Sequence, residues 1–313
     1  MKIFVIFTGG TIGSRVKDGW ISTDRETKFE LIEGFKATDK RNIEFVCIQP
    51  YFVLSENLSA KELNLLFSVY KEAEDSDADG IIVTHGTDSI QFSAAALSLV
   101  SKNCKPTLMV SANYPLDDPR GNGWDNFTAA VDFIEQNCGR GVFVSYKNPD
   151  GGHYFHAGHR VVSFLEGDDR LYSMNHTPYA EYVDGEISIL DKTAPIKRVS
   201  PCPLTEDSGI LCISALPGDR FGYSLYGVRA VIIRPYHSGT VATENLSFAD
   251  FCRRAQSLDI PIFLVNAPKS TTYDSAKLFR ELNIIPLPNT TFSEAYMRIW
   301  FGISGGENLK NLF

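Results

Sequence analysis

Two threonines in matching settings stand where this chain could do chemistry. Thr11 lies in Thr8-Gly9-Gly10-Thr11-Ile12-Gly13, directly after the apolar run Ile3-Phe4-Val5-Ile6-Phe7. Thr87 lies in Thr84-His85-Gly86-Thr87-Asp88-Ser89, directly after Gly80-Ile81-Ile82-Val83. A hydroxyl is a poor nucleophile until a base takes its proton or donors stabilise the oxyanion it generates. The flanking glycines permit close backbone approach and can aim N–H groups at a carbonyl oxygen. Asp88 could hold an amino group or polarise a proton relay, and a relay would need a basic group behind Thr87. Read from the residues alone, this is an acyl-transfer site with Thr11 as nucleophile. The competing reading of each motif by itself is a turn that closes a βα connection or binds a phosphate at a helix end. Neither has the spacing of a dinucleotide fingerprint or a P-loop.

The elements that must position these motifs are short apolar strands. Runs at 2–7, 44–48, 81–84, 107–111 and 141–145 are rich in Val, Ile and Phe, as buried parallel strands are. Helices are expected from Ser59 to Glu74, with Ser59 and Glu62 as a capping box, from Ser89 to Lys102, and over 124–137. The alternation predicts an α/β fold, a large doubly wound, mostly parallel sheet domain over residues 1–190. Both threonines then sit at the carboxyl edge of that sheet, where open α/β folds bind ligands, and their hydroxyls are expected to share one cavity. Asn148-Pro149-Asp150-Gly151-Gly152 is turn chemistry, and a return strand is expected around 159–164. Residues 191–208 read as a linker, and 209–313 as a second, smaller α/β domain. In it, strands are expected at 209–215, 229–233 and 261–265, and helices at 246–257, 274–283 and 292–301.

Composition narrows the partners. The 313 residues carry a formal net charge of -8 with scattered Lys and Arg, which argues against a nucleic-acid surface and for a polar small molecule. No apolar run approaches the ~20 residues of a membrane span, and no leader precedes the first strand, so a cytoplasmic location without membrane partners is expected. The six cysteines show no C-x-x-C spacing and read as reduced, mostly buried thiols. His153, His156 and His159 recur every third residue, but on a hairpin that spacing alternates faces, so no metal site is expected. His85 reads as structural, and Asp117, Asp118 and Arg120 as a solvated rim.

The two threonine motifs closely resemble the signature segments of the bacterial-type L-asparaginase family, which also includes the D subunit of the archaeal glutamyl-tRNA amidotransferase. Ser111-Ala112-Asn113-Tyr114-Pro115 falls where that family has Gly-Ala-Met/Gln-Arg-Pro, and Gly123 to Asn126 on its Asp-Gly-x-x-Asn segment. Leu211 to Gly218 is similar to the strand and turn that open its second domain. The resemblance implies hydrolysis of asparagine to aspartate and ammonia without metal or cofactor, by a homodimer or homotetramer. It implies Thr11 as nucleophile, Thr87 and Asp88 as the first two members of a Thr-Asp-Lys relay, and Ser55 as the serine binding the substrate carboxylate. Gly10, Gly86 and Ala112 match backbone groups around the substrate.

Three positions depart from the family pattern. Ser163 stands where the relay lysine belongs, and a serine cannot carry its charge. Lys147 or Arg160 is a candidate substitute, though arginine is a poor base, Lys147 reads more simply as a solvated surface lysine, and the remaining alternative is that nothing replaces the relay lysine. Glu56, beside Ser55, adds a negative charge that disfavours an α-carboxylate. The segment Val16–Phe29 lacks the family's tyrosine, leaving Trp20 as the large aromatic of its central part. The expected function is therefore an amidohydrolase for L-asparagine or a related small amide. The alternatives are a hydrolase for a different amide or ester, and a catalytically weakened member acting as an amino-acid-binding or scaffold protein. An amidotransferase-subunit role fits least with the acidic charge.

Overall fold

Burial on both faces marks the first strand as a central one: Ile3 to Phe7 are all buried. The computed structural model describes residues 1–17, 20–23, 27–162, 164, 167–192, 196–267 and 273–313, with the side chains of 15–29 excepted. It divides into two compact units, Met1–Arg198 and Val199–Phe313.

The first unit runs β1 (Lys2–Phe7), a β2–β3 hairpin (Ser14–Lys17, Trp20–Thr23), α1 (Thr27–Thr38), β4 (Glu44–Ile48), α2 (Ala60–Asp75), β5 (Gly80–Thr84), α3 (Ile90–Val100), β6 (Pro106–Val110), α4 (Gly123–Glu135), β7 (Gly141–Lys147), β8 (His153–Ala157), β9 (Ala180–Val183) and β10 (Glu186–Ile189). Its eight-stranded sheet has the order β4-β1-β5-β6-β7-β8-β9-β10. The first five are parallel and the last three antiparallel. Period-two alternation divides the core: Ile3, Val5 and Phe7 face Leu31 and Phe35 of α1 and Phe127 and Val131 of α4. Phe4 and Ile6 face Leu66 and Tyr70 of α2 and Ile90, Ala94 and Leu97 of α3. Helices on both faces make the sheet doubly wound, as expected. The order also places a reversal between β1 and β5, because the chain leaves β1 toward β4 and leaves β5 toward β6. Open α/β sheets form their crevice at such a reversal.

The second unit runs β11 (Ile210–Ser214), β12 (Ala230–Arg234), α5 (Leu246–Ser257), β13 (Ile262–Val265), β14 (Ile284–Leu287) and α6 (Phe292–Ser304). Its four strands are parallel and stand in chain order. Asn245 and Thr291 cap α5 and α6 by accepting backbone N–H groups. Residues ahead of β11 already belong to this unit: Trp300 donates to the Thr205 carbonyl at 3.1 Å, and Thr205 N–H donates to Ser304 Oγ, also at 3.1 Å. Among the described residues, no helix is long and apolar enough to cross a membrane.

Several expectations are corrected. The return strand is β8, not 159–164: Gly158–Arg160 form a 3-10 turn, and Val161 makes an isolated bridge to Ser173. The expected helix over 274–283 is only a 3-10 turn over Asp274–Leu278, followed by the unexpected β14. The cysteines are free but only Cys252 is buried. Cys47 and Cys212 are exposed because β4 and β11 are edge strands. Ser59 Oγ–H donates to the Glu62 carboxylate, and its side chain accepts no backbone N–H of the helix.

Candidate active site

The ends of β1 and β5 are stitched together before either motif begins. Thr8 Oγ1–H donates to the Thr84 carbonyl at 2.6 Å, and Thr8 N–H reaches Thr84 Oγ1 at 3.4 Å. Beyond them both chains turn through glycine. Gly9 and Gly10 have φ of 107° and 80°, backbone that side chains rarely adopt. A Cβ on Gly10 would lie 2.3 Å from the Gly86 nitrogen, so the two motifs touch backbone to backbone. A Cβ on Gly86 would lie 2.4 Å from Ser55 Oγ, which places the serine against the same junction.

The Ser55 segment is held there by its own bonds. Gly10 N–H donates to the Val53 carbonyl (3.1 Å), and Val53 N–H to the Thr8 carbonyl (3.2 Å). Ser89 Oγ–H donates to the Ser55 carbonyl (2.7 Å). Ser55 is buried, and its Oγ has no hydrogen-bond partner among the described residues. Ala112, at the end of β6, is buried near Ile12: a Cβ on Gly123 would meet both, at 3.0 and 3.6 Å. The structure thus brings Gly10, Ser55 and Gly86 together, with Ala112 at the neighbouring strand end. Thr11 is half-buried at the start of the 3-10 turn Thr11–Gly13. Glu56 is exposed.

His85 pins the second motif. Its ring is buried, with Nδ1 2.8 Å from the Gly86 carbonyl and Nε2 2.8 Å from Ser93 Oγ. A carbonyl only accepts, so Nδ1 carries the proton and the Ser93 hydroxyl donates to Nε2. Burial pushes this imidazole down to about 4, keeping it neutral at physiological pH. It is a structural strut, as expected.

Thr87 and Asp88 line a cavity of about 310 Å³. Gln91, Asn113, Tyr146, Phe164 and the segment Gly167–Asp169 complete its described wall, of which Thr11 is not a part. Position 11 is thus joined to position 87 through the Gly10–Gly86 contact, while the cavity itself belongs to the Thr87 side. Asp88 is exposed, and its carbonyl accepts from Gln91 Nε2 at 3.1 Å. Asn113 is fixed by a reciprocal pair: its N–H donates to Asn122 Oδ1 (3.0 Å) and its Oδ1 accepts from Asn122 N–H (3.1 Å). Tyr146 donates to the Asp169 carbonyl at 2.9 Å, and burial pushes its hydroxyl up to about 12. Asn113, Gln91, Tyr146, Asp168 and Asp169 were not anticipated as site residues. Asn113 carried a signal, a polar residue at a strand end inside a recognised segment.

Neither candidate for the relay lysine's place pairs with Asp88 among the described residues, and Lys147 is the surface lysine of its simpler reading. Lys147 Nζ pairs with Asp125 at 2.8 Å. Arg160 is half-buried, with its Nε unbonded among the described residues. Asp88 has no ion pair among the described residues, and Ser163 and the Trp20 side chain lie outside them. The three histidines diverge: His153 meets Ser145 (3.2 Å), His156 meets Ser173 (2.9 Å), and His159 lines a different cavity. Asp118 forms a bidentate pair with Arg120 at the surface, which holds its carboxyl down at about 2.

Residues 2–194 match the family model described as "Asparaginase, N-terminal". Among relatives, the D subunit of the glutamyl-tRNA(Gln) amidotransferase of Methanococcus vannielii is 31% identical, over 99% of this chain and 76% of its own length. Its counterpart in Methanococcus maripaludis is 31% identical over 58% of this chain. That match covers only 44% of the relative's length. Among solved structures, the thermostable L-asparaginase of Thermococcus kodakarensis superposes with a TM-score of 0.79 at 18% identity, covering 100% of this chain and 95% of that one. The probable cytoplasmic L-asparaginase of Campylobacter jejuni superposes with a TM-score of 0.81 at 16% identity, covering 99% and 97%. At these identities the structural likeness is one of fold.

Proposed function

Because this chain belongs to the asparaginase family, we propose that it is an amidohydrolase that cleaves a small amide through an acyl-threonine intermediate on Thr11. The observation that carries the reading is the contact of Gly10 with Gly86, which joins both threonine motifs at the reversal of the strand order. In the proposed reaction Thr11 Oγ attacks the amide carbonyl, and the adjoining backbone N–H groups stabilise the oxyanion. The hydroxyl proton passes toward the Thr87–Asp88 side, ammonia leaves, and water hydrolyses the ester to the free acid. L-Asparagine is the first substrate to test, with Ser55 proposed to meet its carboxylate.

The cavity wall favours a second reading of the substrate. Asp88 and Asp169 line a cavity whose described lining holds no lysine or arginine, and Asp168 beside them is paired with Arg170. That charge suits an amide with a net positive charge better than one that, like asparagine, carries an α-carboxylate. The relatives' name, a glutamyl-tRNA(Gln) amidotransferase subunit, supplies a third reading, action as a subunit beside a partner.

Ammonia release by the full chain from asparagine, glutamine, β-alaninamide and lysinamide tests these readings. Turnover that falls by at least about 10³-fold in Thr11→Ala supports the nucleophile. Turnover that survives the substitution rejects it. Preference for lysinamide over asparagine favours the cationic substrate, and turnover only with a partner present favours the amidotransferase role.

A further inference from the structure

The large unit's sheet carries a second cavity at its other edge. Phe143 of β7 is paired with Ala157 of β8, and the antiparallel pairing brings the start of β7 and the end of β8 to one place. A cavity of about 250 Å³ opens there, opposite the edge that carries Thr87. Three cationic or titratable groups reach it from three separate segments: Arg140 before β7, His159 after β8, and Lys192 after β10.

This convergence runs against the charge of the molecule. The chain is acidic overall, with a net charge of -8. Six other cations of this unit, Lys2, Arg41, Lys102, Arg120, Lys147 and Arg170, each meet a carboxylate. Arg140 and Lys192 have no ion pair among the described residues, and neither have Lys61, Lys71 and Lys105, but only Arg140 and Lys192 line this cavity. Arg140 is nevertheless anchored: its Nη1 donates to the Cys104 carbonyl at 3.2 Å, which holds the guanidinium at the rim.

The remaining wall describes the body of the ligand. Val142, Phe143 and Ala157 make an apolar floor. Asn103 contributes an amide, which comes close over the strand start because Gly141 has φ of 113° and no side chain: a Cβ there would lie 3.0 Å from Asn103 Oδ1. The Tyr179 ring packs on Phe143 at a tilt of 43° with centroids 4.5 Å apart, and its hydroxyl is already committed to the Cys138 carbonyl at 2.8 Å. A cationic rim over an apolar floor recognises a charged end on a short hydrocarbon body.

We propose that this cavity is a binding site for a small organic carboxylate, separate from the threonine site, with Arg140 and Lys192 as the groups that recognise its charge. Isothermal titration of the full chain with succinate, and separately with inorganic phosphate, tests it. Succinate is expected to bind saturably and more tightly than phosphate, which cannot use the apolar floor. The double substitution Arg140→Gln, Lys192→Gln is expected to weaken succinate by at least about 10-fold, the loss of a charge-assisted hydrogen bond. Both side chains are exposed, so an unchanged thermal midpoint is expected to show that the variant folds. Binding of phosphate alone, or succinate binding that the double substitution leaves unchanged, would overturn the proposal.

Discussion

Two sheets in one chain, a mixed one and a parallel one, share the same kind of buried parallel strand, yet the threonine motifs sit on one of them. In the large unit the order β4-β1-β5-β6 reverses direction between β1 and β5, so the connections leaving those strands diverge. The gap they leave is filled by Gly9-Gly10-Thr11 and Gly86-Thr87-Asp88, with Ser55 closing against them. In the small unit the strands stand in chain order and no reversal occurs. Its connecting segments accordingly gather on one face, where Phe221, Phe248, Phe251 and Phe279 form a single cluster, while α6 covers the other. The turn after β12 is closed on itself by Tyr236 N–H to the Thr240 carbonyl (2.9 Å) and Gly239 N–H to the Tyr236 carbonyl (2.9 Å). Buried strands alone therefore do not make a site. Diverging connections do.

The sharpest break of this contrast is a pair of glycine substitutions. In Gly10→Ala the new methyl meets the Gly86 nitrogen at 2.3 Å on backbone at φ 80°, so β1 and β5 motifs must part. A stability loss above about 4 kcal/mol and a loss of turnover of at least about 10²-fold are expected, from strain and from misplacement of Thr11. In Gly222→Ala, in the small unit, the methyl meets nothing within 4 Å. Its effect on denaturant midpoint and turnover is expected within about 0.5 kcal/mol and 2-fold. Equal effects of the two would mean that the junction is not tight.

Acid should separate the units next. His85, His153 and His156 are buried in the large unit, and burial depresses them to about 4, about 4 and about 3. The small unit has no buried histidine among its described residues. Because the folded values lie below the unfolded value of 6.5, the unfolded chain binds protons first as the pH falls. The stability these groups contribute is complete above pH 6.5 and is lost downward through the window to about 4. His85 alone is expected to cost on the order of 2 kcal/mol at pH 5. With Trp300→Phe, Trp20 and Trp124 report the large unit in denaturant titrations. Their midpoint should fall from pH 7 to pH 5, and His85→Gln should flatten the fall. A midpoint independent of pH would refute the neutral strut.

How much of this was readable beforehand depends on how local the determinant is. The five parallel strands of the large unit are legible because each holds a short, mostly apolar run rich in Val, Ile, Leu or Phe. β8 is not, since two imidazoles interrupt the apolar side chains of His153-Tyr154-Phe155-His156-Ala157, while Val161-Val162 mimics a strand beyond it. β14 was hidden by Pro286, which an edge strand tolerates because its missing donor is not required. α1 contains Gly34, an apparent helix breaker, kept because a Cβ there would lie 2.3 Å from the Trp124 ring. Thr11, Thr87 and Asp88 stood in motifs and could be named. Tyr146 and Asp169 meet in the cavity wall from 23 positions apart, and no local pattern encodes that.

The smallest expected effect tests whether the carboxyl edge draws its missing cation from β7. Lys147 closes that strand, and its ammonium lies 2.8 Å from Asp125 with the two side chains 40% and 51% exposed. An exposed pair of this kind contributes about 0–1 kcal/mol. Its backbone is tied more firmly: Lys147 N–H donates to Asn126 Oδ1 at 2.7 Å, and its carbonyl accepts from Asn122 Nδ2 at 2.8 Å. Asn122 is also the partner of Asn113 in the cavity wall, so position 147 serves the site through its peptide groups. Lys147→Met keeps those and removes only the charge. Stability within about 1 kcal/mol and turnover within about 2-fold are expected. A loss of turnover beyond about 10-fold, with the fold intact, would show that the ammonium leaves Asp125 to serve Asp88 during the reaction.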